Sequence, residues 1–221
     1  MGATVRLTAA DGHEFAAYRA APSGPRRGGI VVLQEIFGVN AHIRAEADKF
    51  ATEGYEAVAP ALFDRVERDV ELGYTQEATA KGRALRTSLG FDAPMRDISA
   101  AMAALRPAGK VGVVGYCWGA SLAWLAACRL DADCAICYYG AQIREFAGES
   151  PRCPVALHFG EKDPLIPPEA VAAIRGAHPG IPVFTYPAGH GFNCDMRADY
   201  DAESAALAFA RTRAFLRKYV G

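Results

Sequence analysis

The stretch from Lys110 to Leu130, KVGVVGYCWGASLAWLAACRL, restricts the possible folds more than any other part of the chain. Its first half is a continuous apolar run, as expected of a strand covered on both faces. An equally apolar stretch, long enough for a helix, follows almost at once. Between them lies a tight turn that holds Cys117 between Gly115 and Gly119. A Cβ at either glycine would crowd the strand against the helix, so small residues are required there. A buried strand that feeds a buried helix through so short a turn calls for a parallel sheet with helices on its faces.

The rest of the chain repeats that pattern. TVRLTA and HEFAAYRA alternate apolar and polar residues and read as a hairpin joined at Asp11-Gly12. GIVVLQE reads as a buried strand, AHIRAEADKFATEG as a helix ending at Gly54, and YEAVAP as a short strand stopped by Pro60. Residues 61–93 are more polar, with mixed charges, and read as a partly helical excursion over one end of the sheet where a lid or specificity segment could sit. From Pro94 the alternation resumes: PMRDISAAMAALR (helix), KVGVVGY (strand), WGASLAWLAACRL (helix), CAICYYG and PVALHFG (strands), PEAVAAIRGA (helix), PVFTYP (strand), and a long helix from about Asp201. Strands alternating with helices imply right-handed crossovers and one doubly wound, mostly parallel α/β sheet spanning residues 1–221 as a single domain. In such sheets chemistry gathers at the carboxyl ends of the strands.

Composition narrows the partners. The 221 residues carry 24 basic and 25 acidic side chains, so no strong field favours nucleic acid or an anionic membrane. A small-molecule partner is expected. The start of the chain lacks the basic and apolar regions of a secretory signal, and its apolar runs break well before the roughly 20 residues that span a bilayer, so a cytoplasmic location is expected. Six cysteines, at 117, 128, 134, 137, 153 and 194, are expected to be reduced, because a chain with a large core needs no disulfide framework. Cys134 and Cys137 form a CxxC, but a strand would send them to opposite faces, which suits neither a disulfide nor a shared metal. No His/Cys cluster with ligand spacing and no phosphate-binding loop stands in the sequence, so neither a metal nor an organic cofactor is expected.

Three polar residues fall just beyond strand ends. Cys117 lies in GxCxG, Asp163 in FGEKDP after VALHFG, and His190 in PAGHGFN after VFTY. The order nucleophile, acid, histidine is the one an α/β-hydrolase sheet uses. A helix beginning directly after Cys117 would stabilise a thiolate and offer the Trp118 backbone N–H to an oxyanion. Each residue alone also fits a plainer role: Cys117 as a small turn residue, Asp163 as a helix cap, His190 as a turn residue beside glycine, and Glu35 as a strand-end acid bonded to nearby backbone.

Taken together, QEIFGVN, GYCWG, CYYG, FGEKDP and AGHGFN resemble the dienelactone hydrolase (carboxymethylenebutenolidase) family of α/β-hydrolases over nearly the whole chain. The resemblance implies hydrolysis of a small ester or lactone through a thioester, with Cys117 as nucleophile, His190 as general base and Asp163 as its orienter. It also implies Glu35 beside the resting thiol, the Ile36 N–H as second oxyanion donor, no cofactor, and a monomer. Two departures stand out: Ala120 where a further glycine is common, and GFNCDM, with Cys194, where an arginine for a substrate carboxylate is expected. Arginines 65, 68, 83, 86, 144 and 197 are candidates to replace it. Two rival readings remain: a noncatalytic ligand-binding protein on the same fold, and a thiol redox enzyme using Cys134 and Cys137.

Overall fold

The structure, a computed structural model, describes residues 2–221. The alternating segments at the start form β1 (Ala3–Thr8) and β2 (Glu14–Ala20), an antiparallel hairpin whose turn places Gly12 at φ 81°. The continuous apolar runs become β3 (Gly29–Leu33), β4 (Glu56–Pro60), β5 (Val111–Tyr116), β6 (Cys134–Tyr138) and β7 (Val155–Gly160). Every residue of these five strands is buried, which is why they show no alternation. β8 (Val183–Tyr186) is less covered and closes the far edge.

The eight strands lie in the order β1-β2-β4-β3-β5-β6-β7-β8. All pairs from β4 onward are parallel, and β2 joins β4 antiparallel, so the hairpin extends one edge of a mostly parallel sheet. Six helices complete the α/β architecture: α1 (Ala41–Thr52), α2 (Gln76–Leu89), α3 (Asp92–Leu105), α4 (Trp118–Arg129), α5 (Pro168–Ala177) and α6 (Ala202–Tyr219). α3 packs on α4 over one face, while α1 and α6 meet through Phe50 and Phe209 on the other. The chain leaves β3 toward β4 and then returns to β5 on β3's opposite side. The crevice beyond the carboxyl ends of β3 and β5 is therefore where a doubly wound sheet offers a site.

The segment 61–93 contains more helix than its composition suggested. It holds a short 3-10 turn at Leu62–Arg65, the whole of α2, and the start of α3 at Asp92 rather than Pro94. Thr75 caps α2 by accepting from the Ala78 N–H at 3.1 Å. A Cβ built on Gly82 of α2 would lie 2.0 Å from the Ile36 carbonyl oxygen, so glycine lets this helix rest on the backbone just past β3. Among the described residues no helix is long and apolar enough to cross a membrane.

Candidate active site

Cys117 is the single residue between β5 and α4, and it adopts φ 52°, ψ −116°, a left-handed conformation rare for a residue with a Cβ. Its N–H donates to the Tyr138 carbonyl at 2.9 Å, which fixes the turn to the neighbouring strand. The flanking glycines have the packing role that the sequence suggested. A Cβ on Gly115 would stand 2.0 Å from the Gly119 oxygen, and one on Gly119 would stand 2.5 Å from the oxygens of Leu33 and Gln34. Strand, turn and helix can approach this closely only without those carbons. The sulfur thus sits at the N-terminus of α4, where unpaired N–H groups and the helix dipole favour negative charge.

The loops after β7 and β8 bring Asp163 and His190 to the same edge. His190 Nε2 lies 3.1 Å from Cys117 Sγ, and Nδ1 lies 2.6 Å from an Asp163 carboxylate oxygen. The other Asp163 oxygen accepts from the Leu165 N–H at 2.8 Å within a turn; α5 begins only at Pro168, after Pro167, so Asp163 does not cap it. Burial opposes charge on His190, but the Cys117 sulfur and the Asp163 hydrogen bond outweigh it and raise the imidazole from 6.5 to about 10. Tyr139 stands edge-on to the ring, with centroids 5.2 Å apart, and limits its movement. A thiol, an imidazole and a carboxylate linked in this order can generate a nucleophilic thiolate and then a base for water.

Glu35 lies just past β3 and is 1% exposed. One of its oxygens accepts from Arg197 Nη1 at 3.3 Å, while the other has no hydrogen-bond partner. The resting thiol is hydrogen-bonded to His190, and the Glu35 carboxylate to Arg197. Ile36 lines the cleft above Cys117, and its N–H has no backbone acceptor among the described residues. The Trp118 N–H opens α4, where no acceptor within the helix is available.

The cleft has a volume of about 360 Å³ and includes Cys117, His190 and four arginines, at 83, 86, 144 and 197. Arg83 and Arg86 come from α2, which makes the excursion one wall of the site. Arg65 is held elsewhere by Asp97 and Asp11, and Arg68 by the Glu14 carbonyl. Cys194 does not line the cleft; it is buried with its sulfur 3.2 Å from the Tyr74 hydroxyl. Arg197, three residues further on, reaches the cleft from a loop whose sequence gives no periodic signal.

All six cysteines are free thiols. Cys134 and Cys137 are fully buried in β6, and burial pushes both thiols upward, so neither has the stabilised thiolate of a redox motif. Glu35, His42 and Cys194, far apart in sequence, gather their donor atoms within 4.8 Å of one another, a His/Cys/Glu cluster that only the fold assembles.

The sequence profile of the dienelactone hydrolase family matches residues 15–220. A carboxymethylenebutenolidase of Pseudomonas putida is 34% identical over 224 residues, covering 96% of this chain and 94% of its own. Carboxymethylenebutenolidase 1 of Cupriavidus pinatubonensis is 31% identical, with 94% and 93% covered. Among solved structures, one from Klebsiella pneumoniae with a provisional dienelactone hydrolase designation superposes with a TM-score of 0.84 at 28% identity, covering 98% of this chain and all of that one.

Proposed function

Given that the chain belongs to the dienelactone hydrolase family and is an ester-hydrolysing enzyme, we propose that Cys117 is its nucleophile, His190 its general base and Asp163 the group that orients the imidazole. The observation that carries this reading is the hydrogen-bonded series from Cys117 Sγ through His190 to Asp163 at the carboxyl edge of the sheet. The thiolate attacks the carbonyl carbon of a small ester or lactone, and the Trp118 and Ile36 N–H groups receive the developing oxyanion. The C–O bond breaks, the leaving oxygen takes the proton held by His190, and a thioester forms on Cys117.

Acylation removes the charge from the sulfur, the strongest of the causes that raise the imidazole. His190 then becomes basic enough to take a proton from water, and the hydroxide attacks the thioester. Collapse of the second tetrahedral intermediate releases the carboxylic acid and restores the thiolate beside the protonated imidazole. A stabilised enolate leaving group needs little protonation, which suits a thiol nucleophile better than peptide cleavage would.

The substrate of this reading carries a carboxylate. Arg83, Arg86 and Arg144 line the cleft without a salt bridge among the described residues, and Arg197 shares its charge with Glu35. Guanidinium groups suit planar carboxylates. Glu35 in this account positions Arg197 and sets the field around the thiol. We further take residues 1–221 as one domain acting alone on a diffusible substrate, since a single sheet joins all eight strands.

The test is a panel of aryl esters and unsaturated lactones, each with and without a carboxylate, assayed on the wild type and on Cys117→Ala. The proposal expects turnover that depends on Cys117 and a lower KM for the anionic member of each pair. Full activity in Cys117→Ala would refute the nucleophile, and equal KM values would refute the substrate class.

A further inference from the structure

Around Glu35, three side chains from distant segments meet. Glu35 follows β3, His42 is the second residue of α1, and Cys194 lies in the loop after His190. A carboxylate oxygen, a ring nitrogen and a sulfur, one from each, all lie within 4.8 Å of one another. All three residues are buried, at 1%, 3% and 0% exposure.

Two atoms in this group, Glu35 Oε2 and His42 Nε2, are buried without any hydrogen-bond partner. Buried polar atoms are almost always paired, so two orphans in one cluster point to a shared partner. We propose that Glu35, His42 and Cys194 form a buried binding site for a divalent transition-metal cation of the zinc type.

The donor set selects that class. Oxygen, imidazole nitrogen and thiolate sulfur together suit zinc, whereas calcium and magnesium take oxygen ligands. Zinc bond lengths of about 2.0–2.3 Å place tetrahedral ligand atoms about 3.4–3.6 Å apart. Donor atoms up to 4.8 Å apart would have to draw together by about an ångström on binding. Charge also balances: a carboxylate and a thiolate meet the ion, and Arg197 engages the other Glu35 oxygen without competing for Oε2. On binding, the Cys194 proton passes to solvent.

The surroundings supply the outer hydrogen bonds that metal ligands require. The Tyr74 hydroxyl accepts from Asn40 Nδ2 and from the Cys194 thiol, each at 3.2 Å; once the thiol gives up its proton, the hydroxyl proton can turn toward the sulfur. Asn40 also caps α1 through the Ile43 N–H, which fixes the helix turn that carries His42. A surface depression lined in part by Glu46, Lys49, Asn193 and Asp195 reaches His42.

Cobalt(II) titrated into the reduced full-length protein tests the site, because cobalt replaces zinc among nitrogen and sulfur ligands and reports a thiolate by a charge-transfer band. The site predicts one equivalent bound with that band, and displacement by zinc. The band should persist in Cys117→Ser, vanish in Cys194→Ser, and require roughly tenfold or more cobalt in His42→Gln. No band in the wild type, or a band kept in Cys194→Ser and lost in Cys117→Ser, overturns the site. Should Cys194→Ser fail to fold, X-ray absorption on zinc-loaded Cys117→Ser decides: one sulfur scatterer supports the site, and none overturns it.

Discussion

Cys137 stands on β6, paired with Gly115 of β5, and Cys117 stands just past the end of β5, yet their thiols live in different chemistry. Cys137 is still within its strand, one residue before the end of β6, sealed from solvent, with burial pushing its thiol well up. Cys117 lies two residues past that register, at the sheet edge, where a helix N-terminus, a cleft and His190 converge. Reactivity here is a property of position along the strand. The sheet interior offers a cysteine no base, water or stabilised charge, and the edge offers all three.

The contrast breaks most readily at the edge. Cys117→Ala should lower kcat/KM for an aryl ester by roughly 10³-fold or more while melting close to the wild type, read by initial rates and thermal denaturation. Asp163→Asn keeps the shape but loses the acceptor for His190 Nδ1–H, and kcat should fall roughly 10²- to 10⁴-fold with slower alkylation of Cys117 by iodoacetamide. Gly82→Ala sharpens the comparison from the wall of the site. Its Cβ would collide with the Ile36 oxygen, so the overpacking, about 1–3 kcal/mol, should exceed the gain of about 1 kcal/mol in helix propensity. The variant should therefore be less stable in urea and about tenfold weaker in kcat/KM.

In the sheet interior the expected effects are on stability. Replacing Cys134 and Cys137 by serine buries two hydroxyls and should destabilise by about 1–3 kcal/mol each in chemical denaturation. Activity per folded molecule should remain within about twofold; a large loss would place the chemistry in β6. The last effect is one of pH. His190 is raised from 6.5 to about 10, so its share of stability is complete below about pH 6.5 and is lost as pH rises through about 10. An NMR titration should find this imidazole still protonated at pH 8 in the wild type, and titrating markedly lower in Cys117→Ala.

How far the sequence reaches follows from the same geometry. The buried strands were legible as unbroken apolar runs, and Cys117, Asp163 and His190 because each falls within four residues of a strand's carboxyl end. The glycines around Cys117 were legible because close packing leaves no alternative residue. The order of strands was not legible: nothing local tells that β2 adds beside β4, or that β5 returns to the other side of β3. Arg197 lies in a loop, and its pairing with Glu35 spans 162 positions, so no spacing rule singles it out from the other arginines. The gathering of Glu35, His42 and Cys194 escaped for the same reason. In segment 61–93 helix was legible but not its bounds, because polarity on the solvent side of α2 masks the inner face that carries Gly82 and Leu85.

The central claim is that one thiol, at the sheet edge, carries the acyl group. The direct measurement is intact-mass and peptide mapping of the enzyme quenched in acid during turnover of a slowly released aryl ester. The account predicts a single acyl adduct on Cys117, formed at the rate of the initial burst and lost at the steady-state rate. An adduct on another residue, or full turnover with no adduct on Cys117, would contradict it.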